Sequence, residues 1–366
     1  MSASPFEHPF LSGLLGDADV AAFFSVEADC RAMVAFEIAL AQAQGGAGMI
    51  PAEAARSIAA ALAGFSPDVD ALAAGTGRDG VVVPELVRQL RKAVGRDAAA
   101  FVHVGATSQD VVDTSLSLRL KPALAILDTR LAAVAEALQA LEDRDGDIEV
   151  MAHTRMQAAI PVPASRKIRS WRDPLVRHRA RLDVVSAGVA ILHFGGAAGT
   201  LEKLGDRASD VAQRLAEALG LKPVDHARHS ERDGIAELAS WLSLVTGSLG
   251  KMGQDIALAA QSEVGEIRLS GGGGSSAMPH KVNPVAAETL VTLARFNATL
   301  LAGMHQSLVH ENERSGAAWT LEWMILPQMI TACAAALRHA QALVGQIAIR
   351  PLKSGADEAA AKDGRS

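Results

Sequence analysis

Between Ser270 and Leu290 the chain reads SGGGGSSAMPHKVNPVAAETL, and this stretch gathers residue types that can manage charge on a carboxylate. Four glycines, Gly271 to Gly274, make a loop able to open and close over a site. Two hydroxyls, Ser275 and Ser276, follow directly. Asn283 before Pro284 reads as a helix N-cap with proline at the first helical position. Lys281 then stands just ahead of a helix N-terminus, and Glu288 lies on that helix. A lysine, hydroxyls and backbone amides at the positive end of a helix suit a carboxylate on which charge develops. A plain Gly-Ser linker before a capped helix would explain the glycines, but not the whole string.

Such a loop needs rigid elements to hold it, and the periodicity supplies long helices. Leu124, Leu127, Leu131, Val134, Leu138 and Leu141 recur at steps of three and four. Ile235, Leu238, Leu242, Val245, Leu249, Met252 and Ile256 do the same, in a pattern that extends from about Arg232 to Ile267. A third stripe runs through Leu290, Leu293, Leu300, Met304 and Leu308. These are seams of long helices packed at shallow angles, and strand-like alternation is hardly visible. The fold expected is all-α, a central long-helix bundle. Turn-rich segments at Asp68 to Asp79, Leu221 to Glu231 and Gly271 to Gly274 punctuate it. Long antiparallel helices leave seams that self-association covers.

Composition narrows the function classes. At 366 residues the chain exceeds one compact core, so several domains or an elongated helical body are expected. The division expected is residues 1–100, an N-terminal helical domain; 101–350, the bundle; and a tail, 351–366. With 35 Lys+Arg against 41 Asp+Glu there is no global basic field for nucleic acid. No uninterrupted run approaches the roughly 20 apolar residues of a membrane helix, and the first residues have no basic leader region. Cys30 and Cys333 stand far apart in Ala-rich surroundings, the usage of a reduced cytoplasmic protein with packed thiols. The histidines and cysteines show no metal-ligand spacing, and no dinucleotide or phosphate-loop string occurs, so neither metal nor cofactor is expected.

Three stretches in order carry a resemblance. VHVGATSQDVVDT (Val102 to Thr114), HTRMQAAIPVPAS (His153 to Ser165) and GSSAMPHKVNP resemble the three signature regions of the fumarase/aspartase superfamily. The resemblance implies a homotetramer whose active sites are each built from three subunits. It also implies proton transfer beside a carboxylate through an enediolate. On that pattern Ser275 exchanges the α proton, Lys281 and Asn283 hold the substrate carboxylate, and Glu288 orients the cationic side. Thr107, Ser108 and Gln109 match the carboxylate-binding loop, and Gln157 the substrate-positioning glutamine. A serine hydroxyl serves as base only if nearby cations and amides lower its pKa.

Departures from the pattern select a branch. The superfamily's lyases and fumarases usually carry a histidine acid where this chain has Arg155, with His153 two residues earlier. The segment before the first region, GRDGVVVPELVRQL, has no histidine, and Trp323 replaces an arginine that binds nucleotide phosphate. A purine-nucleotide substrate is therefore disfavoured. The segment ENERSGAAWTLEW resembles the branch that closes 3-carboxy-cis,cis-muconate to 4-carboxymuconolactone in protocatechuate breakdown. There the group that adds is itself a carboxylate, so no histidine acid is needed. A tricarboxylate calls for several cations, and Lys281, Arg155, Arg314 and Arg232 are candidates. The alternatives are an adenylosuccinate- or argininosuccinate-like lyase, a cycloisomerase for another anionic muconate, and a non-catalytic protein on this fold. The chain is also short for the family, so a shortened C-terminal domain is expected.

Overall fold

The computed structural model describes residues 4–274, 278 and 281–352. Two short helices, α1 (Ser12–Leu15) and α2 (Ala18–Ala21), lead into α3 (Val26–Gly46), α4 (Ala52–Leu62), α5 (Val69–Asp79), α6 (Val83–Val94) and α7 (Arg96–Ala99). The segment read as turn-rich is thus mostly helix: Asp68 caps α5 by accepting from the Ala71 amide, and Gly80 ends it at φ 72°.

The bundle follows. α8 spans Ser108–Asp145, running straight through Pro122, and leads into the antiparallel pair β1 (Glu149–Thr154) and β2 (Gln157–Pro163). α9 (Ala164–Val189) returns along α8, and α10 (Ala208–Leu219) packs against α3. α11 is Asp233–Ala259, shorter than the apolar stripe suggested. Gln261 closes a turn on Val264 and Gly265, and Ile267 belongs instead to β3 (Ile267–Leu269). β3 pairs with β4 (Ile347–Ile349), which follows α12 (Val285–Gln306) and α13 (Gly316–Val344). The two small ladders are absent from the periodicity because three- to seven-residue strands give too few alternations.

Side-chain pairs fix the helix directions. Arg172 of α9 meets Glu142 of α8, while Arg179 meets Asp128. Trp171 meets Asp255 of α11, and Trp241 meets His178 of α9. Asn297 of α12 bonds to Met329 of α13. Gly250 and Gly253 of α11 abut Ala294 and Ala287 of α12, and Gly303 of α12 abuts Ile325 of α13, so α8, α11 and α13 run one way and α9 and α12 the other. The predicted leucine seams are the core: Leu127, Leu131, Leu138, Leu242, Leu249 and Leu290 are buried together. A second core joins α3, α4 and α6 to Leu192, Phe194, Val211 and Leu215. Cys30 and Cys333 are free and buried, as expected. By length and mean hydropathy α12 and α13 both match a membrane span, but 67% of the apolar window of α13 is buried inside the bundle.

Candidate active site

The first signature region opens α8. Thr107 is its N-cap, in extended backbone, and Ser108 its first residue. The Asp110 carboxylate accepts from the Thr107 amide at 2.8 Å, closing a capping box. It also accepts from the Gly195 and Gly196 amides at 2.8 and 3.0 Å and from His229 Nε2 at 2.7 Å. Just before the cap, Gly105 has φ 75°, and a Cβ there would run into Leu204.

One turn further into α8, Asp113 anchors a buried ionic cluster. Arg232 donates from Nη1 to Asp113 at 2.7 Å and from Nε to Glu322 of α13 at 2.9 Å. Trp319 Nε1 donates to the other Asp113 oxygen at 2.8 Å. Burial by itself would raise the Asp113 pKa, but the adjacent Arg232 charge and the two donors hold it at about 2. His193 is fully buried beside this cluster, its Nδ1 lacking a hydrogen-bond partner, and burial pushes its pKa down to about 4. Arg232 was read as a candidate substrate cation; its Nε, Nη1 and Nη2 are all committed to Asp113 and Glu322, which makes it structural.

Gln109 and Arg314 meet beside the cluster. Gln109 is buried and bonded through both ends of its carboxamide, accepting from Arg314 Nε at 3.0 Å. Trp323 stacks edge-to-face on Trp319 with centroids 4.6 Å apart. It also lines a cavity of about 340 Å³ with Phe24, Asp29, Arg119 and Glu322.

The second and third regions lie elsewhere. Arg155 and Met156 form the two-residue turn between β1 and β2 with φ 49° and 65°, and Arg155 is exposed. Gln157 starts β2, also exposed. His153 faces Glu266 at 3.8 Å, and Lys167 holds the other Glu266 oxygen at 2.5 Å. These groups border a cavity of about 470 Å³ with Trp171 and Lys251. In the third region, Asn283 exchanges backbone hydrogen bonds with Gly273 at 3.0 and 2.9 Å. That extended pairing takes Asn283 out of the capping role read from the sequence: α12 starts at Val285 with Pro284 as its N-cap. Lys281 and Glu288 are exposed. Ser275, Ser276 and His280 lie outside the described residues.

The structure therefore brings Thr107, Ser108, Gln109, Arg314 and Trp323 to one end of the bundle. His153, Arg155, Gln157, Lys281, Asn283 and Glu288 stand at the other. Between them runs α8, whose 38 residues span about 57 Å at 1.5 Å per residue. Sequence reasoning left Asp110, Asp113, His193, His229, Trp319 and Glu322 unassigned. Only the capping spacing of Thr107 and Asp110 was visible; the partners of Asp113 lie 119 and 206 residues away.

Comparison with known proteins agrees with this architecture. A lyase family model matches residues 18–297. The 3-carboxy-cis,cis-muconate cycloisomerase of Pseudomonas aeruginosa is 40% identical over 333 residues, covering 89% of this chain and 72% of that protein. The Acinetobacter baylyi protein of the same name is 39% identical over 336 residues, 90% of this chain and 74% of its own length. The crystal structure of the 3-carboxy-cis,cis-muconate lactonizing enzyme from Pseudomonas putida superposes with a TM-score of 0.87 at 36% identity, covering 92% of this chain and 76% of that one. By its three signature regions, its bundle and these matches, the chain belongs to the lyase family of the fumarase/aspartase superfamily.

Proposed function

We propose that this chain is a cycloisomerase closing 3-carboxy-cis,cis-muconate to 4-carboxymuconolactone. The observation that carries the reading is the near-40% identity, over nine tenths of the chain, to proteins named for that activity. One substrate carboxylate oxygen attacks the distal double bond and forms the ring C–O bond. The electron pair moves into the carboxylate conjugated with that bond, giving an enediolate, and Ser275 delivers a proton to carbon. A fully ionised trianion becomes a dianionic lactone, so each turnover takes up one proton. No group leaves, which removes the need for the histidine acid that Arg155 replaces.

The roles follow from charge. Lys281 and Asn283 hold the carboxylate that becomes the enediolate, and Glu288 orients the cationic side. Ser108 offers its hydroxyl and amide, and Thr107 its hydroxyl, at the positive end of α8. Arg155 and Arg314 pair with further carboxylates, with His153, Gln157 and Trp323 at the margins. We place this chemistry in a homotetramer whose sites draw on several subunits. The separation of the signature regions along α8 supports that, because one chain does not bring them together. The sparse cover of α12, with 28% of its apolar window buried, supports an assembly around the bundle. Two buried free thiols fit a cytoplasmic enzyme, and the proposed chemistry requires neither metal nor cofactor.

The test is an assay following loss of the conjugated diene absorbance of 3-carboxy-cis,cis-muconate, with adenylosuccinate and argininosuccinate run in parallel. Diene loss with lactone formation and uptake of one proton is expected. Turnover of a succinyl substrate with none of the muconate would overturn the reading.

A further inference from the structure

Resting on the reading of Arg314 as a substrate cation, the geometry points to Gln109 as the positioning residue that aims it without touching the substrate. Gln109 is fully buried, and its carboxamide is spent within the chain. Nε2 donates to Asp113 Oδ2 at 3.1 Å and to the His229 carbonyl at 2.8 Å, while Oε1 accepts from Arg314 Nε at 3.0 Å. The amide has one orientation here, since a carboxylate and a carbonyl only accept and a guanidinium only donates. Asp113, the fixed point of this chain of bonds, is itself locked by Arg232 and Trp319.

Arg314 is tied along the same edge. Its Nη2 lies 3.3 Å from both the Gly196 and Ala197 carbonyls and 3.4 Å from His229 Nδ1. Nε and Nη2 are thus fastened to protein, and Nη1 has no protein partner among the described residues. A free arginine loses much rotamer freedom on meeting a ligand. Fastened along one edge, this one presents Nη1 in a single direction, ready for a charge-assisted hydrogen bond to a carboxylate. A glutamate at 109 could hold Arg314 Nε but would set a second negative charge against Asp113. Glutamine joins an acceptor for arginine to donors for a carboxylate and a carbonyl.

A double-mutant cycle on 3-carboxy-cis,cis-muconate turnover tests this, using Gln109→Met, Arg314→Ala and the double variant, each checked for intact assembly. Arg314→Ala should lower kcat/KM by about 10- to 100-fold, mainly through KM, the worth of a charge-assisted hydrogen bond. Gln109→Met should lower it by roughly tenfold, also through KM, and the double variant should match Arg314→Ala. Additive losses, or a folded Gln109→Met enzyme with wild-type KM, would overturn the positioning role. An unchanged KM in Arg314→Ala would instead remove Arg314 from substrate binding. A crystal structure of the wild-type enzyme with the unreactive tricarboxylate tricarballylate gives the same decision without a variant. Arg314 Nη1 on a carboxylate with Gln109 still on Asp113 is expected; a Gln109 bond to the ligand would overturn the inference.

Discussion

Arg232 and Asp113 face each other across 2.7 Å with each side chain 2% exposed, joining the start of α11 to the first turns of α8. Glu322 completes the cluster from α13, so one guanidinium ties three bundle helices. Arg232→Met would leave two carboxylates buried without a counter-charge. That should cost about 3–5 kcal/mol, read as a lower urea midpoint or as loss of soluble protein. A variant within 1 kcal/mol of wild type would mean that water or rearrangement compensates the cluster.

The same cluster sets an acid limit. His193 holds its proton in the unfolded chain below about pH 6.5 but, buried, only below about 4 in the folded one. Its contribution to stability is complete above about pH 6.5 and is lost as pH falls toward about 4, because the unfolded state binds the extra proton. Asp113, with its folded pKa near 2, contributes only to a later limb below about pH 4. His193→Gln keeps the backbone bonds to Thr114 and should flatten the first limb by about one proton, measured as the slope of unfolding free energy against pH. An unchanged slope between pH 6.5 and 4 would assign that limb to other groups.

Ser275→Ala should fold and assemble normally while losing about 10²- to 10⁴-fold in kcat, the usual worth of a positioned proton donor. Near wild-type turnover would take Ser275 out of the mechanism.

Sites shared between chains predict complementation. Ser275→Ala and Arg314→Ala each disable one contribution, and Lys281 of the signature string that carries Ser275 stands at the other end of the bundle from Arg314. Subunits mixed, dissociated and reassembled should reach a kcat/KM above that of either variant alone, because some sites then receive both intact residues. No recovery in demonstrably mixed oligomers would argue that each site belongs to one chain.

Arg155 projects from a two-residue turn with its side chain exposed, so Arg155→Met should leave the melting temperature within about 2 °C. KM for the tricarboxylate should rise severalfold with kcat little changed, as expected when a substrate anchor is lost. An unchanged KM would make Arg155 merely a turn residue.

Much of this was legible in the chain because it is local. The leucine seams at steps of three and four became the buried faces of α8, α11 and α12, since a helix puts residues of that spacing on one side whatever surrounds it. The three signature strings were legible for a similar reason: their glycines, caps and hydroxyls act within a few residues of one another. Where local and tertiary demands competed, the sequence misled. Asn283 has the form of an N-cap, yet its backbone pairs with Gly273, and Asp68 to Asp79 looks like a turn but is a capped helix. Which distant side chains meet was settled by packing alone. Arg232 had the form of a substrate cation until Asp113 and Glu322 closed around it, from 119 and 90 residues away. Gln109 read as a ligand for substrate until burial turned both ends of its amide inward. Periodicity and caps are written in neighbouring residues; charge partners are chosen by packing, which brings distant residues into a dry interior where each must be satisfied.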